Sequence, residues 1–178
     1  MVGFNPNNGN IRWETPLAAP RGANDVERMV DLVGPVSRLG DEVCARAFQA
    51  AVGCVDAKRG RLKWTQTTDG SQGLHGDDRL LLGTESDGRV VAWQRESGQR
   101  AWTYAGLLNR NVGSPLVLGR SVAVPDGFGY VHLLSREDGT PMARLTTDGS
   151  PILSAPALAG DTLLVLTQNG NLFAWRPQ

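Results

Sequence analysis

Asp87-Gly88-Arg89-Val90-Val91-Ala92-Trp93 reads as a tight turn running into a short apolar strand, and the chain repeats it. Phe128-Gly129-Tyr130-Val131-His132-Leu133-Leu134 and Asn169-Gly170-Asn171-Leu172-Phe173-Ala174-Trp175 align with it without gaps, their glycines 41 residues apart at each step. A weaker copy, Gln49-Ala50-Ala51-Val52-Gly53-Cys54-Val55, stands 38 residues earlier and lacks the turn glycine. Asp-Gly and Asn-Gly supply the positive φ angles of tight hairpins. In the strand beyond, Val90 and Ala92 point one way and Val91 and Trp93 the other, so both faces are apolar. A sheet of that kind is covered on both sides.

Two further columns keep the same period. Gly9-Asn10-Ile11-Arg12-Trp13, Gly60-Arg61-Leu62-Lys63-Trp64, Gly98-Gln99-Arg100-Ala101-Trp102 and Gly139-Thr140-Pro141-Met142-Ala143 follow the turns, and three of the four end in Trp. Pro35-Val36, Pro115-Leu116-Val117-Leu118 and Pro156-Ala157-Leu158 precede them, each leading through a short turn into another apolar run. Four strands in a period of about 40 residues is the arithmetic of a propeller blade. The predicted fold is therefore all-β, a β-propeller of four-stranded antiparallel blades with about four blades present. Trp13, Trp64, Trp93, Trp102 and Trp175 are assigned to blade packing, since a Trp in regular register buries a large area with restricted geometry.

Counting back from Gly9 places Met1–Phe4 in the third strand of a blade and 11–17 in its fourth. Leu172–Trp175 is a third strand with no fourth after it. Residues 1–178 are thus expected to form a single partial propeller domain, either a fragment or half of an eight-bladed ring. Its cut blade faces would expose apolar surface and favour self-association.

Composition narrows the function. Lys+Arg and Asp+Glu balance at 18 each, which gives no electrostatic reason to expect nucleic acid as a partner. No apolar run approaches the roughly 20 residues that span a bilayer, and Met1-Val2-Gly3-Phe4-Asn5 does not fit a signal peptide or lipidation pattern. His75 and His132 stand far apart with no ligand cluster beside them, so no metal site is expected. No Ser/His/Asp signature or Gly-rich phosphate loop is present, and Asp77-Asp78 reads as a hairpin tip. No catalytic residue and no cofactor is expected.

Cys44 and Cys54 flank a turn centred on Gln49, five residues to either side, which places them opposite each other on adjacent strands. Two readings stay open: a cross-strand disulfide, or two small buried thiols filling a blade interface. From Trp13 to Pro35 the chain runs 22 residues where Trp102 to Pro115 takes 13, so an extended inter-blade loop is expected over 14–33. Asn24 and Glu27 resemble a capping box, with Val26, Met29 and Val30 on one face of a short helix. The loop is either surface decoration or a partner contact. In the second reading Arg28 and Asp31 anchor a partner by hydrogen bonds and Met29 supplies an adaptable apolar contact.

The repeats resemble the pyrroloquinoline-quinone-type propeller repeat and, more narrowly, the BamB family of lipoproteins of the outer-membrane β-barrel assembly machinery. The likeness rests on Leu107-Leu108-Asn109-Arg110-Asn111-Val112-Gly113-Ser114-Pro115 and Asp126-Gly127-Phe128-Gly129-Tyr130-Val131-His132. It also rests on the closing stretch Asn169-Gly170-Asn171-Leu172 with Arg176, and on Glu27-Arg28-Met29-Val30-Asp31-Leu32-Val33. It covers nearly the whole chain, as the C-terminal half of an eight-bladed protein. It implies a periplasmic scaffold at the outer membrane that binds the POTRA domains of BamA and assists insertion of β-barrel proteins. Unfolded outer-membrane proteins are further candidate partners. The lipid-anchored cysteine and the family's Leu-x-Leu-Arg contact loop would belong to the other half. Of two aspartates in the family's contact loop, this sequence keeps Asp31, with Val33 near the place of the second. The rival classes are a fragment of a quinoprotein dehydrogenase and a periplasmic sensor or peptide-binding propeller. The dehydrogenases carry adjacent cysteines and a calcium-binding Glu/Asn/Asp cluster, whereas these cysteines are ten residues apart.

Overall fold

The computed structural model describes residues 1–18 and 31–176. The first blade contributes two strands, β1 (Val2–Phe4) and β2 (Ile11–Glu14). The second contains β3 (Leu32–Leu39), β4 (Glu42–Ala47), β5 (Ala51–Asp56) and β6 (Arg61–Thr67). The third contains β7 (His75–Gly76), β8 (Leu80–Thr84), β9 (Val90–Gln94) and β10 (Arg100–Tyr104). The fourth contains β11 (Leu116–Leu118), β12 (Ser121–Pro125), β13 (Tyr130–Ser135) and β14 (Pro141–Thr146). The fifth has three strands, β15 (Ala157–Ala159), β16 (Thr162–Leu166) and β17 (Leu172–Trp175). Every sheet is antiparallel with strands in chain order, and the first strand β7 contacts the first strands β3 and β11 of the blades on either side. Inner strands that meet while outer strands diverge define a propeller, and the strand count of two, three full blades and three more is the one the repeat implies.

The alternation in Val90–Trp93 works as its pattern requires. Val90 and Ala92 join the core between the third and fourth blades, with Leu82, Val122, Val124 and Leu134. Val91 and Trp93 join the core between the second and third, with Val52, Trp64 and Leu81. Each blade is therefore apolar on both faces because each face is another blade's cover.

Tryptophans close the seams. Trp13, Trp64 and Trp102, on the fourth strands β2, β6 and β10, donate their indole N–H groups to the carbonyls of Ala57, Arg95 and Arg136 in the following blade, at 2.9, 2.8 and 3.0 Å. Each ring also lies against the turn glycine of that blade: Gly60, Gly98 and Gly139. These glycines hold φ of 66 to 75°, and a Cβ there would sit about 2.3 to 2.5 Å from the ring. Only glycine meets both demands. Trp93 and Trp175 occupy a different register. They lie on third strands, Trp93 fully within a seam core and Trp175 half-buried and stacked on Phe173 at 5.8 Å. The fourth-strand column ends at Ala143, and beside it a cleft of about 570 Å³ opens between the fourth and fifth blades, lined by Leu118, Leu133, Met142, Leu145, Leu163 and Trp175.

The chain's one disulfide, Cys44–Cys54, links register partners on β4 and β5 with a Cα separation of 4.0 Å. Both cysteines are fully buried in the seam core with Trp64 and Trp93.

Candidate functional site: the loop face and its seam staples

Antiparallel order puts two sets of loops at one end of the propeller: the turns between second and third strands, and the links from each fourth strand to the next blade. Backbone hydrogen bonds stitch them together. The Phe48 amide donates to the Asp31 carbonyl, Gln49 to Gly70, Asn109 to Asp87, Gly127 to Arg110 and Thr147 to Gly129, all between 2.8 and 3.1 Å. Asn109 and Asn111 hold φ of 60° and 51°, a left-handed geometry that asparagine tolerates, and so present Arg110 between them. The outcome is a continuous loop face that leaves Phe48, Leu108, Phe128 and Leu153 between 45% and 72% exposed.

Polar side chains lock this face where each inter-blade link meets the end of the next second strand. Between the second and third blades, fully buried Arg46 reaches Glu85 at 3.2 Å and stacks over Trp93 at 6.0 Å. Its guanidinium occupies the space that side chains at Gly70 and Gly83 would take. Glu85 also accepts the Asp69 amide at 2.8 Å. Burial pushes the Glu85 carboxyl up and a hydrogen bond shared with the Asp69 carboxyl adds to the shift, while Arg46 and the Asp69 amide oppose it. The same hydrogen bond holds the Asp69 carboxyl below its usual range. Burial lowers the Arg46 guanidinium, with Glu85 opposing.

At the next seam Asp126, fully buried, accepts from Arg110 at 2.7 Å and the amides of Phe128 and Tyr130 at 3.0 and 2.9 Å, and pairs with His132 Nε2 at 2.9 Å. Burial pushes its carboxyl up, but the contacts with His132, Tyr130, Arg110 and Phe128 outweigh that and bring it to about 2. At the fifth blade Asp148 accepts from Asn171 at 2.6 Å, the Ser150 hydroxyl at 2.7 Å and Thr167 at 2.9 Å, contacts that hold its carboxyl low. Glu85, Asp126 and Thr167 are 41 residues apart, so one repeat position carries all three staples.

The partner-contact residues read from sequence are only partly placed. Arg28 and Met29 lie outside the described residues, as do Asn24 and Glu27 of the capping pattern. Asp31 is exposed at the entry to β3, on the loop face, with half-exposed Phe48 hydrogen-bonded to its carbonyl. His75 lies on β7, where its Nδ1 accepts the Val117 amide at 3.2 Å; desolvation lowers its pKa, as does Arg95, while Asp77 opposes. Asp77 sits in the β7–β8 hairpin turn and also binds Arg136 of the next blade at 2.7 Å. Among the described residues, the one cluster with metal-ligand spacing is Glu42, Cys44 and Cys54, and its two sulfurs are bonded to each other. The sequence reading missed the Arg46–Glu85 staple, which joins residues 39 apart on different blades. For Asp126 a signal was present, since it opens one of the stretches on which the family likeness rests.

Fold and site together define a run of propeller blades of the pyrroloquinoline-quinone type that presents a hydrogen-bonded loop face. The family model described as outer membrane protein assembly factor BamB matches residues 1–104, and the chain belongs to that family. It is 42% identical over 178 residues to the outer membrane protein assembly factor BamB of Burkholderia pseudomallei, covering 100% of this chain and 47% of that protein. To the Bordetella pertussis protein of the same name it is 39% identical over 173 residues, covering 97% and 45%. The crystal structure of BamB from Moraxella catarrhalis superposes with a TM-score of 0.85 at 22% identity, over 94% of this chain and 50% of that one. The chain thus spans about half the length of the curated relatives it matches.

Proposed function

We propose that this chain is a non-enzymatic scaffold on the periplasmic side of the outer membrane, where it serves assembly of β-barrel proteins by binding the POTRA domains of BamA. Family membership supports the assembly role, since the relatives carry the name of outer membrane protein assembly factor. The observation that carries the binding role is the stitched loop face, on which Asp31 stands exposed at the entry to β3, its carbonyl hydrogen-bonded to Phe48. An exposed carboxylate and a half-exposed aromatic ring on two backbone-paired residues suit a contact whose polar part fixes orientation and whose apolar part supplies affinity. Arg28 and Met29, just before Asp31 in the chain, extend the same contact in this reading. Unfolded outer-membrane proteins are a second class of partner for the exposed apolar rim.

The test is retention of this chain on an immobilised POTRA array, compared with Asp31→Arg and Phe48→Ala. Loss of retention in both variants supports the reading; equal retention of all three removes it.

Self-association belongs to the same proposal. The first sheet exposes Val2, Phe4 and Ile11, and the last exposes Leu158, Leu166 and Leu172, which favours contact between copies. Light scattering at rising concentration should reveal dimers, and a constant monomer mass would overturn this part alone.

A further inference from the structure

The outer part of the seam between the third and fourth blades holds an arrangement that the staples do not explain. Tyr130, His132 and Leu134 share one face of β13; Leu134 is buried in the seam core, while Tyr130 and His132 rise toward its rim. Arg144 stands opposite His132 in the β13–β14 register. Its guanidinium lies 4.6 Å from the Tyr130 ring centre. Arg110 lies 5.5 Å from the same ring and 5.0 Å from Phe128. Rings and guanidiniums therefore alternate, each cation held against an electron-rich face.

The two arginines differ in charge balance. Asp126 neutralises Arg110 at 2.7 Å. Among the described residues no carboxylate stands within ion-pair distance of Arg144, which is exposed. Beside it opens a cleft of about 330 Å³, lined by Tyr104, His132, Leu134, Pro141, Met142 and Arg144. β14 is the outermost strand of its blade, so its outer edge keeps free backbone donors and acceptors. Pro141 contributes no N–H, which directs pairing to the residues after it.

We propose that this cleft binds an extended peptide segment carrying a carboxylate next to an aromatic side chain. The stacked Arg144 presents a preorganised planar fork, which suits a carboxylate better than a point charge does. Tyr104 and the 54%-exposed Met142 offer an adaptable apolar wall for a ring. The edge of β14 fixes the main chain of the guest by strand addition. A nucleic-acid strand would also stack on such rings, but the chain's balanced charge provides no field to hold its phosphates. The site lies on a blade seam rather than at Asp31, so it stands or falls independently of the POTRA reading.

Fluorescence anisotropy with a labelled short peptide, one aspartate beside one phenylalanine in a glycine–serine frame, tests the proposal. The same peptide with asparagine for aspartate is the control. The native chain should favour the aspartate peptide by about tenfold, the size of one charge-assisted contact. Arg144→Gln should abolish the preference, and Arg144→Lys should retain only part of it, with circular dichroism confirming that both variants fold. No binding, equal binding of the two peptides, or an unchanged preference in Arg144→Gln would overturn it. Tighter binding of a labelled oligothymidylate than of the peptide would do so too.

Discussion

Trp64 lies flat against Gly98 of the next blade while its indole N–H donates to the Arg95 carbonyl at 2.8 Å. One side chain thereby joins ring packing, a backbone hydrogen bond and a left-handed turn. The turn of Gly9 has the same φ of 72° as Gly98, but nothing stands within 4 Å of the place its Cβ would take. The two glycines therefore separate backbone strain from ring contact. Gly9→Ala should cost about 1 kcal/mol, the strain alone, and Gly98→Ala about 1–3 kcal/mol more, because the ring must shift. Trp64→Phe should cost about 1–2 kcal/mol through the lost hydrogen bond and area. Urea unfolding followed by circular dichroism measures all three; equal losses for the two glycines would show that the seam does not depend on this contact.

Arg46 and Glu85 form the second test. Arg46 is wholly enclosed, and its Nε has no hydrogen-bond partner among the described residues, so Glu85 carries most of its compensation. Removing one partner of such a pair strands a buried charge and costs about 3–5 kcal/mol, whereas removing both with apolar replacements is far milder. Glu85→Ala should destabilise the chain strongly, and adding Arg46→Met should restore part of the loss. A double-mutant cycle in urea checks the sign: additive losses would mean that the two charges do not depend on each other.

The contrast between these two features shows which interactions a sequence exposes. Gly60, Gly98 and Gly139 recur at nearly fixed distances with Trp64 and Trp102 four residues after the first two, so period alone revealed the blades. Trp93 and Trp175 were grouped with them, although they follow Gly88 and Gly170 by five residues and therefore fall on third strands. Arg46 left no such trace. It sits in β4, where an arginine ordinarily marks a solvent-facing position, and only the space left by Gly70 and Gly83 lets its head enter the seam. Cys44 and Cys54 were legible as cross-strand neighbours because their turn is symmetric about Gln49, but spacing cannot distinguish a bond from two thiols. Arg144 carried no repeat signal at all; its stacking on Tyr130 exists only after β13 and β14 have paired.

Acid should act on Asp126 in a defined window. Its folded pKa lies at about 2, below the ordinary 3.8, so the unfolded chain takes up its proton first as pH falls. Stability from this group is present above pH 3.8 and is lost progressively down to about 2. A depression of that size corresponds to roughly 2 kcal/mol for a single group. Thermal melts of the native chain and Asp126→Asn should differ most above pH 4 and converge toward pH 2. A gap that stays constant across that interval would mean that the carboxylate's charge contributes nothing to the staple.

The disulfide bears on stability without touching the loop face. Cys44 and Cys54 are fully buried, and Cys54 is paired in register with Trp64, so the bond lies under the same seam that the tryptophan closes. A cross-link between residues separated by 10 restricts the unfolded chain by about 2–3 kcal/mol in the loop-entropy account. The hairpin already pairs these strands, so replacing both cysteines should weaken the chain without altering its blades. Cys44→Ala with Cys54→Ala should lower the urea midpoint and leave the circular-dichroism spectrum and any POTRA retention unchanged. Alkylation under denaturing, non-reducing conditions supplies the control, because the native chain should take up no label. Two labels per chain would mean that the thiols are free, and an unchanged urea midpoint would mean that packing of the seam, rather than the bond, holds this hairpin against its neighbour.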